Sequence, residues 1–280
     1  MSRIADTQRI VDGYRSAELI TGALQDISAV KMQELRRQFV QNARFFSGIS
    51  DLYGVVKARA AALHVTDQTI HRRVQGRDIY IGLTSNKRFY GTLNRDVVLA
   101  LVGMVRVVEK SDFLLIGSAG AQYLQEMTAS ELVEYMEFGE ETPNTEELQE
   151  MFSIIDRHSR VFIVYPKFVN PFRQDVVMTD ITQTPTSIVP PEMHVDYVFE
   201  PEISRMLEFF ERQVRRVVFE RVMLEAELAR TAARTMKMHS AKERAQQLTH
   251  EYESKLRHEF EAFADIERMG ASISFSSAKP

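Results

Sequence analysis

From Glu202 to Met269, apolar side chains return at intervals of mostly three and four residues: Ile203, Leu207, Phe210, Val214, Val217, Val222, Ala229, Ala232, Met236, Ala241, Ala245, Leu248, Tyr252, Leu256, Phe260 and Phe263. That spacing is the stripe of an α-helix. Sixty-eight consecutive residues without Gly or Pro, closed by Gly270, predict one uninterrupted helix, roughly 100 Å long at 1.5 Å per residue. The stripe is narrow and needs a second helix to cover it. The segment from Met1 to about Ala62 contains no proline and sets Ile4, Val11, Tyr14, Ile20, Leu24, Ile27, Leu35 and Phe39 near the same period, which predicts a long first helix. Gly13 and Gly22 lie inside it. Each costs about 1 kcal/mol relative to alanine, so packing against a close neighbour must hold that region helical. Gly48 and Gly54 predict a break or a joint.

Between about Arg77 and Glu200 the period changes and prolines begin, at Pro143, Pro166, Pro171, Pro185, Pro190, Pro191 and, just beyond, Pro201. Short apolar or β-branched runs at Asp78 to Thr84, Phe113 to Gly117, Val161 to Tyr165 and Asp175 to Ile181 predict strands. Helical patterns separate them at Leu93 to Val107, Ser130 to Phe138 and Thr145 to Ile155, the last with Asn144 as its N-cap. Such alternation predicts a compact α/β domain with a partly parallel sheet. Thr182 to Met193, rich in Thr and Pro, predicts a surface loop.

The expected fold class is therefore α/β, with a long antiparallel two-helix coiled coil formed by the N- and C-terminal segments and a central Rossmann-like α/β domain. The expected divisions are residues 1–62 for the first helix, 63–200 for the α/β foot, and 201–280 for the last helix and tail. Each long helix joins the foot at one end, so if their stripes meet they run antiparallel. The last helix is the longer, and its apolar positions from about Leu248 to Met269 are expected to need a partner from another chain or to face water.

Composition narrows the chemistry. A hydrophobic content of 44% is ample for a core, and no run approaches the eighteen apolar residues of a membrane span. The absence of cysteine removes disulfides and thiolate metal sites. A net charge of −4 leaves no electrostatic footprint for nucleic acid. Met1 to Arg9 has no apolar core, so no secretory signal is expected. The loop Leu83 to Asn94 follows a strand and precedes a helix, where phosphates bind in nucleotide folds, but it matches neither glycine-rich fingerprint and reads as an ordinary turn. Ile116 to Gly120, IGSAG, lacks the lysine of a P-loop. No histidine pair has metal-ligand spacing, and no catalytic triad stands out. No active site, metal or cofactor is expected. Arg205 through Arg244 carry ten basic residues against six acidic, while Glu251 through Glu267 carry six acidic against two basic. Most of these fit a solvated face. Arg230, Arg234 and Lys237 are the candidates for positive charge offered to an acidic partner.

Four stretches carry a resemblance. Ile20 to Met32, ITGALQDISAVKM, resembles the first-helix signature of the gamma subunit of F-type ATP synthases, close to ITKAMKMVSAAKL, and matches it at Ile20, Thr21, Ala23, Ser28, Ala29 and Lys31. Ala232, Ala233, Arg234, Met238, Ala241 and Ala245 fall where that family has AARMVAMKxATxNA. Thr84 to Asn94 is similar to TSDRGLCGGFN, keeping Thr84, Ser85, Gly91 and Asn94, and Tyr197 to Pro201 resembles the lead into the final helix. The departures are Asp26 for a usual methionine, Asn86, Arg88 and Tyr90 in the middle motif, and an acidic C-terminal tip, which together suggest a divergent bacterial member.

The resemblance implies a non-catalytic rotor shaft. It would turn inside a ring of three alpha and three beta subunits, with the foot on the epsilon subunit and the membrane c-ring, at the cytoplasmic side of a bacterial inner membrane. It would couple proton or sodium flow to ATP synthesis or hydrolysis and would not itself insert in the bilayer. Ile20, Thr21, Ser28, Ala29, Lys31, Arg230, Arg234 and Met238 are the expected coupling contacts, and Ser85, Gly91 and Asn94 the motif of the foot. The alternatives are a structural coiled-coil adaptor with an α/β recognition domain and a nucleotide-handling α/β enzyme with helical arms.

Overall fold

The computed structural model describes residues 2–63, 76–108, 110–125, 127, 133–139, 143–182 and 200–277. Ten elements follow in order: α1 (Ser2–Ala62), β1 (Ile79–Leu83), α2 (Leu93–Val105), β2 (Asp112–Ile116), α3 (Ser118–Gln125), β3 (Glu134–Met136), α4 (Thr145–Arg157), β4 (Val161–Asn170), β5 (Arg173–Asp180) and α5 (Ile203–Ser277). They fall into two compact units, Val30–Arg234 and the pair Met1–Ala29 with Thr235–Pro280.

In the larger unit, five strands form one sheet in the order β3-β2-β1-β4-β5. β1 lies parallel to both β2 and β4, β2 parallel to β3, and β4 and β5 form an antiparallel hairpin. Alternation along β1 assigns the two faces. Ile79, Ile81 and Leu83 join Leu114, Ile116, Ile163 and Tyr165 under Met151, Phe152 and Ile155 of α4 and Phe219, Val222 and Ala226 of α5. On the opposite face, Tyr80, Phe113, Leu115 and Val164 pack with Val97, Val98, Leu101 and Val102 of α2 and Leu124 of α3. Gly82 is placed so that an added Cβ would meet Leu101 and Leu115 at 3.0 Å, so α2 lies close on the sheet. A third cluster joins the C-terminal half of α1 to the start of α5 through Tyr53, Val56 and Ala60 against Leu207 and Val214. α4 begins with the expected cap: Asn144 accepts the Glu147 N–H at 2.9 Å, and the Glu147 carboxylate accepts the Asn144 N–H at 2.7 Å. Tyr165 donates to Glu225 at 3.0 Å, tying β4 to α5, and burial pushes its phenol up to about 12.

In the smaller unit the two helices run antiparallel. Arg3 meets Glu259 at 3.0 Å, Arg15 meets Glu253 at 2.5 Å, and Gln246 donates to Glu18 at 2.7 Å. Tyr14 packs on Tyr252 with ring centroids 5.6 Å apart, and the Lys242 side chain crosses Gly22. As the number on α1 rises, the number of its partner on α5 falls.

Several expectations change. α1 has no break at Gly48 or Gly54, because the buried Tyr53, Val56 and Ala60 around them outweigh about 1 kcal/mol per glycine. Gly22 has its close neighbour, but nothing lies within 4 Å of an added Cβ at Gly13. Ile20 and Ile27 are 60% and 64% exposed rather than part of the seam. At about 100° per residue, Ile20 lies about 180° from the buried Val11. Cover along α5 reaches Glu259, so Leu248, Tyr252 and Leu256 are partly buried, and Phe260, Ile266 and Met269 stay exposed. The helix expected over Ser130 to Phe138 is replaced, where described, by β3, whose parallel ladder to β2 outweighs local helix preference. The stretch SAGAQYLQ, for which no element was expected, is the helix α3. α5 continues past Gly270 to Ser277. The loop expected at Thr182 to Met193 lies, apart from Thr182, outside the described residues.

Gly120 on α3 sits so close to β1 that a Cβ there would overlap the Thr84 side chain. Gly120→Ala is expected to destabilise the chain by about 1–3 kcal/mol, read as a lower urea midpoint with an unchanged slope.

Candidate functional site

The loop after β1 gathers the middle motif. Thr84 donates its hydroxyl to the carbonyls of Ile116 and Gly117 at 2.5 and 3.1 Å. Ser85 donates to the Lys87 carbonyl at 2.8 Å and accepts from Asn94 at 2.9 Å. Asn86 donates to the Phe138 carbonyl at 2.6 Å and accepts the Ser118 N–H at 3.0 Å. Gly91 has φ +64°, a conformation that glycine adopts without strain. These bonds fasten β1, β2, α2 and α3 together at the carboxyl ends of the strands. Ser85, Gly91 and Asn94 therefore have a clear structural task. Arg234 lies over the Tyr90 ring at 5.6 Å and joins α5 to the same loop.

Residues 226–233 of α5 are all buried. Ala226, Ala229, Ala232 and Ala233 let neighbours approach closely, but Glu227, Arg230 and Thr231 place polar groups in the same stretch. Glu227 is answered by Lys31 of α1 at 2.5 Å. Arg230, expected on an outward basic face, is only 3% exposed and lines a cleft with Thr84, Ser85, Asn86 and Gly117. Other arginines of α5 also leave the solvated face: Arg216 lies over Phe152 at 4.9 Å and Arg221 over Phe39 and Phe46 at 5.4 and 5.8 Å. A guanidinium offers both charge and a flat face, and sequence counting registers only the charge.

In the smaller unit, Thr21 donates to the Ala17 carbonyl at 2.7 Å and Ser28 to the Leu24 carbonyl at 2.7 Å, each satisfied within its own helix. Ser28 and Met238 are buried, Ala29 half-buried, and Ile20 open, beside Leu19 and Ile27 on the outer side of α1. Among the described residues no cluster of His, Asp and Glu could hold a metal ion, and no helix is long and apolar enough to cross a membrane.

The family model described as ATP synthase matches residues 4–259. The chain belongs to the ATP synthase gamma-chain family. It is 24% identical over 252 residues to the ATP synthase gamma chain of Symbiobacterium thermophilum, covering 86% of each chain. It is 25% identical over 261 residues to that of Desulforamulus reducens, covering 89% of each. Among solved structures, it resembles a chain of the Euglena gracilis mitochondrial ATP synthase rotor with a TM-score of 0.63 at 13% identity, covering 94% of this chain and 99% of that one. A second Euglena gracilis structure, of OSCP, F1 and c-ring, gives a TM-score of 0.67 at 12% identity, covering 99% and 94%. These likenesses carry the fold. A gamma chain is a non-catalytic subunit of the synthase and is associated with the membrane as part of F1.

The Lys31 side chain is 37% exposed and that of Glu227 only 6%, so removing the lysine takes a close cation from a covered carboxylate. Lys31→Ala is expected to cost about 2 kcal/mol in chemical unfolding. Adding Glu227→Gln should recover a good part of it in a double-mutant cycle.

Proposed function

We propose that this gamma-family chain is the central rotor shaft of an F-type ATP synthase, coupling ion flow through the membrane sector to ATP synthesis or hydrolysis at the alpha/beta ring. The observation that carries the reading is the pairing of two long helices, antiparallel within each unit, with the α/β sheet packed on one of them. Helices laced by ion pairs and rings resist twisting, as an element transmitting torque must. A single axle in a threefold ring offers each catalytic site a different face. Only such differential contact can shift the sites between nucleotide affinities.

Its partners in this reading are the alpha and beta subunits around the helices, and the epsilon subunit and c-ring against the α/β domain. The location is the cytoplasmic side of a bacterial inner membrane. The division into residues 1–62, 63–200 and 201–280 belongs to the same proposal, as shaft, foot, and shaft with tail. Ile20, Thr21, Ala29, Lys31 and Arg234 keep partly or largely accessible positions for coupling contacts. Ser28, Arg230 and Met238 are covered within the chain and would act by holding neighbouring positions.

Ile20 and Ile27 are exposed and on the outer side of α1, so Ile20→Asp with Ile27→Asp should change stability by less than about 0.5 kcal/mol per site. In the reconstituted synthase the same pair should lower the number of ions pumped per ATP hydrolysed. An unchanged ratio, in an assembly that still contains this chain, sinks the rotor reading.

A further inference from the structure

The two edges of the sheet are unlike. β3 at one edge is only three residues long, whereas β5 at the other runs for eight. Soluble sheets keep their edges from pairing with other chains by short edge strands, charged residues, proline or bulges. The middle of β5, Val176, Val177, Met178 and Thr179, carries neither charge nor proline. Its register with β4 is unbroken from the Phe162–Asp180 pair to the Phe168–Gln174 pair.

The ladder fixes which backbone groups are free. The Ile181 N–H donates to the Val161 carbonyl at 3.0 Å. Bonded pairs alternate along an antiparallel ladder, so Asp175, Val177 and Thr179 turn their N–H and C=O groups to β4, and Gln174, Val176 and Met178 turn theirs outward. Pro166 obeys the same phase, standing opposite Val176 at a pair that needs no N–H. Among the described residues, no hydrogen bond reaches the outward groups of Val176 and Met178. The flank is open as well, with Met178 47% exposed. Donors and acceptors that recur every second residue, about 6.8 Å apart, match the repeat of another strand. Charge distinguishes the two ends of this edge. Lys167 stands opposite Asp175, whose carboxylate is paired with Arg173 at 2.9 Å, so two cations meet one anion near the β4–β5 turn.

We propose that a strand of a neighbouring subunit completes the sheet at β5. It is an extended segment, uncharged in its middle and acidic at the end beside Lys167 and Arg173. Backbone hydrogen bonds to Val176 and Met178 hold it. The source of the strand rests on the rotor reading, in which the α/β domain meets the epsilon subunit and the c-ring. A membrane-spanning ring satisfies its backbone groups internally, so the strand is assigned to epsilon.

The test is residue-resolved amide exchange of the full-length chain, alone and with the epsilon subunit of the same synthase, alongside calorimetric binding. Alone, Val176 and Met178 should exchange faster than Val177 and Thr179. In the complex, both should slow by at least about tenfold. Met178→Pro removes only an outward N–H, so it should leave the fold intact and bind epsilon at least about tenfold more weakly. Met178→Thr, which keeps the N–H, should bind as wild type. Epsilon bound while Val176 and Met178 still exchange freely overturns the proposal and leaves the rotor reading standing. No binding of epsilon overturns both. A dimer of the isolated chain in sedimentation, with these two amides already protected, gives the edge to a second copy and equally overturns the proposal. Should Met178→Pro fail to fold, amide exchange in the wild type decides.

Discussion

In the larger unit everything depends on α5 serving two masters. One of its faces closes the sheet through Phe219, Val222 and Ala226, and another receives α1 through Leu207 and Val214. A helix wrapped on more than one side has little solvated surface left for its polar residues. Over residues 226–233 every position is buried, and the apolar ones are four alanines and Leu228. The polar exceptions must then be answered by neighbours. Lys31 answers Glu227, and the cleft beside the turns after β1 and β2 receives Arg230.

The same enclosure explains why the basic excess of α5 misleads when counted. The guanidinium groups of Arg216, Arg221 and Arg234 lie over Phe152, over Phe39 and Phe46, and over Tyr90. Each head meets a ring face, so these arginines hold neighbouring elements by a cation set over an aromatic ring. Three parts of the fold, α1, α4 and the loop after β1, are gripped in this way by one helix.

Much of the architecture was legible because its signals are local and long. The two terminal helices, four of the five strands, α2, and α4 with its Asn144 cap all follow from periodicity and breaker placement. What escaped was non-local. β3 is three residues long and exists through its ladder to β2. The glycines at 48 and 54 were overridden by packing with residues far along the chain. Ile20 and Ile27 were assigned to a seam because spacing alone does not fix the phase of a stripe. At the candidate site, the motif residues Ser85, Gly91 and Asn94 were found by resemblance. The burial of Arg230 left no trace in the sequence, since it depends on which way a helix faces.

The two units use unlike adhesives. In the smaller one, Arg3 with Glu259 and Arg15 with Glu253 cross between helices at positions open to solvent, the Arg3 side chain being 88% exposed. Such attractions weaken as dissolved ions crowd around them. The larger unit has ion pairs too, but around its sheet it adds ring faces and aliphatic bulk, which brine disturbs little. Ionic strength thus works as a selective loosener: a salty medium lets the far ends of α1 and α5 fray from each other while the grip around the sheet stays firm.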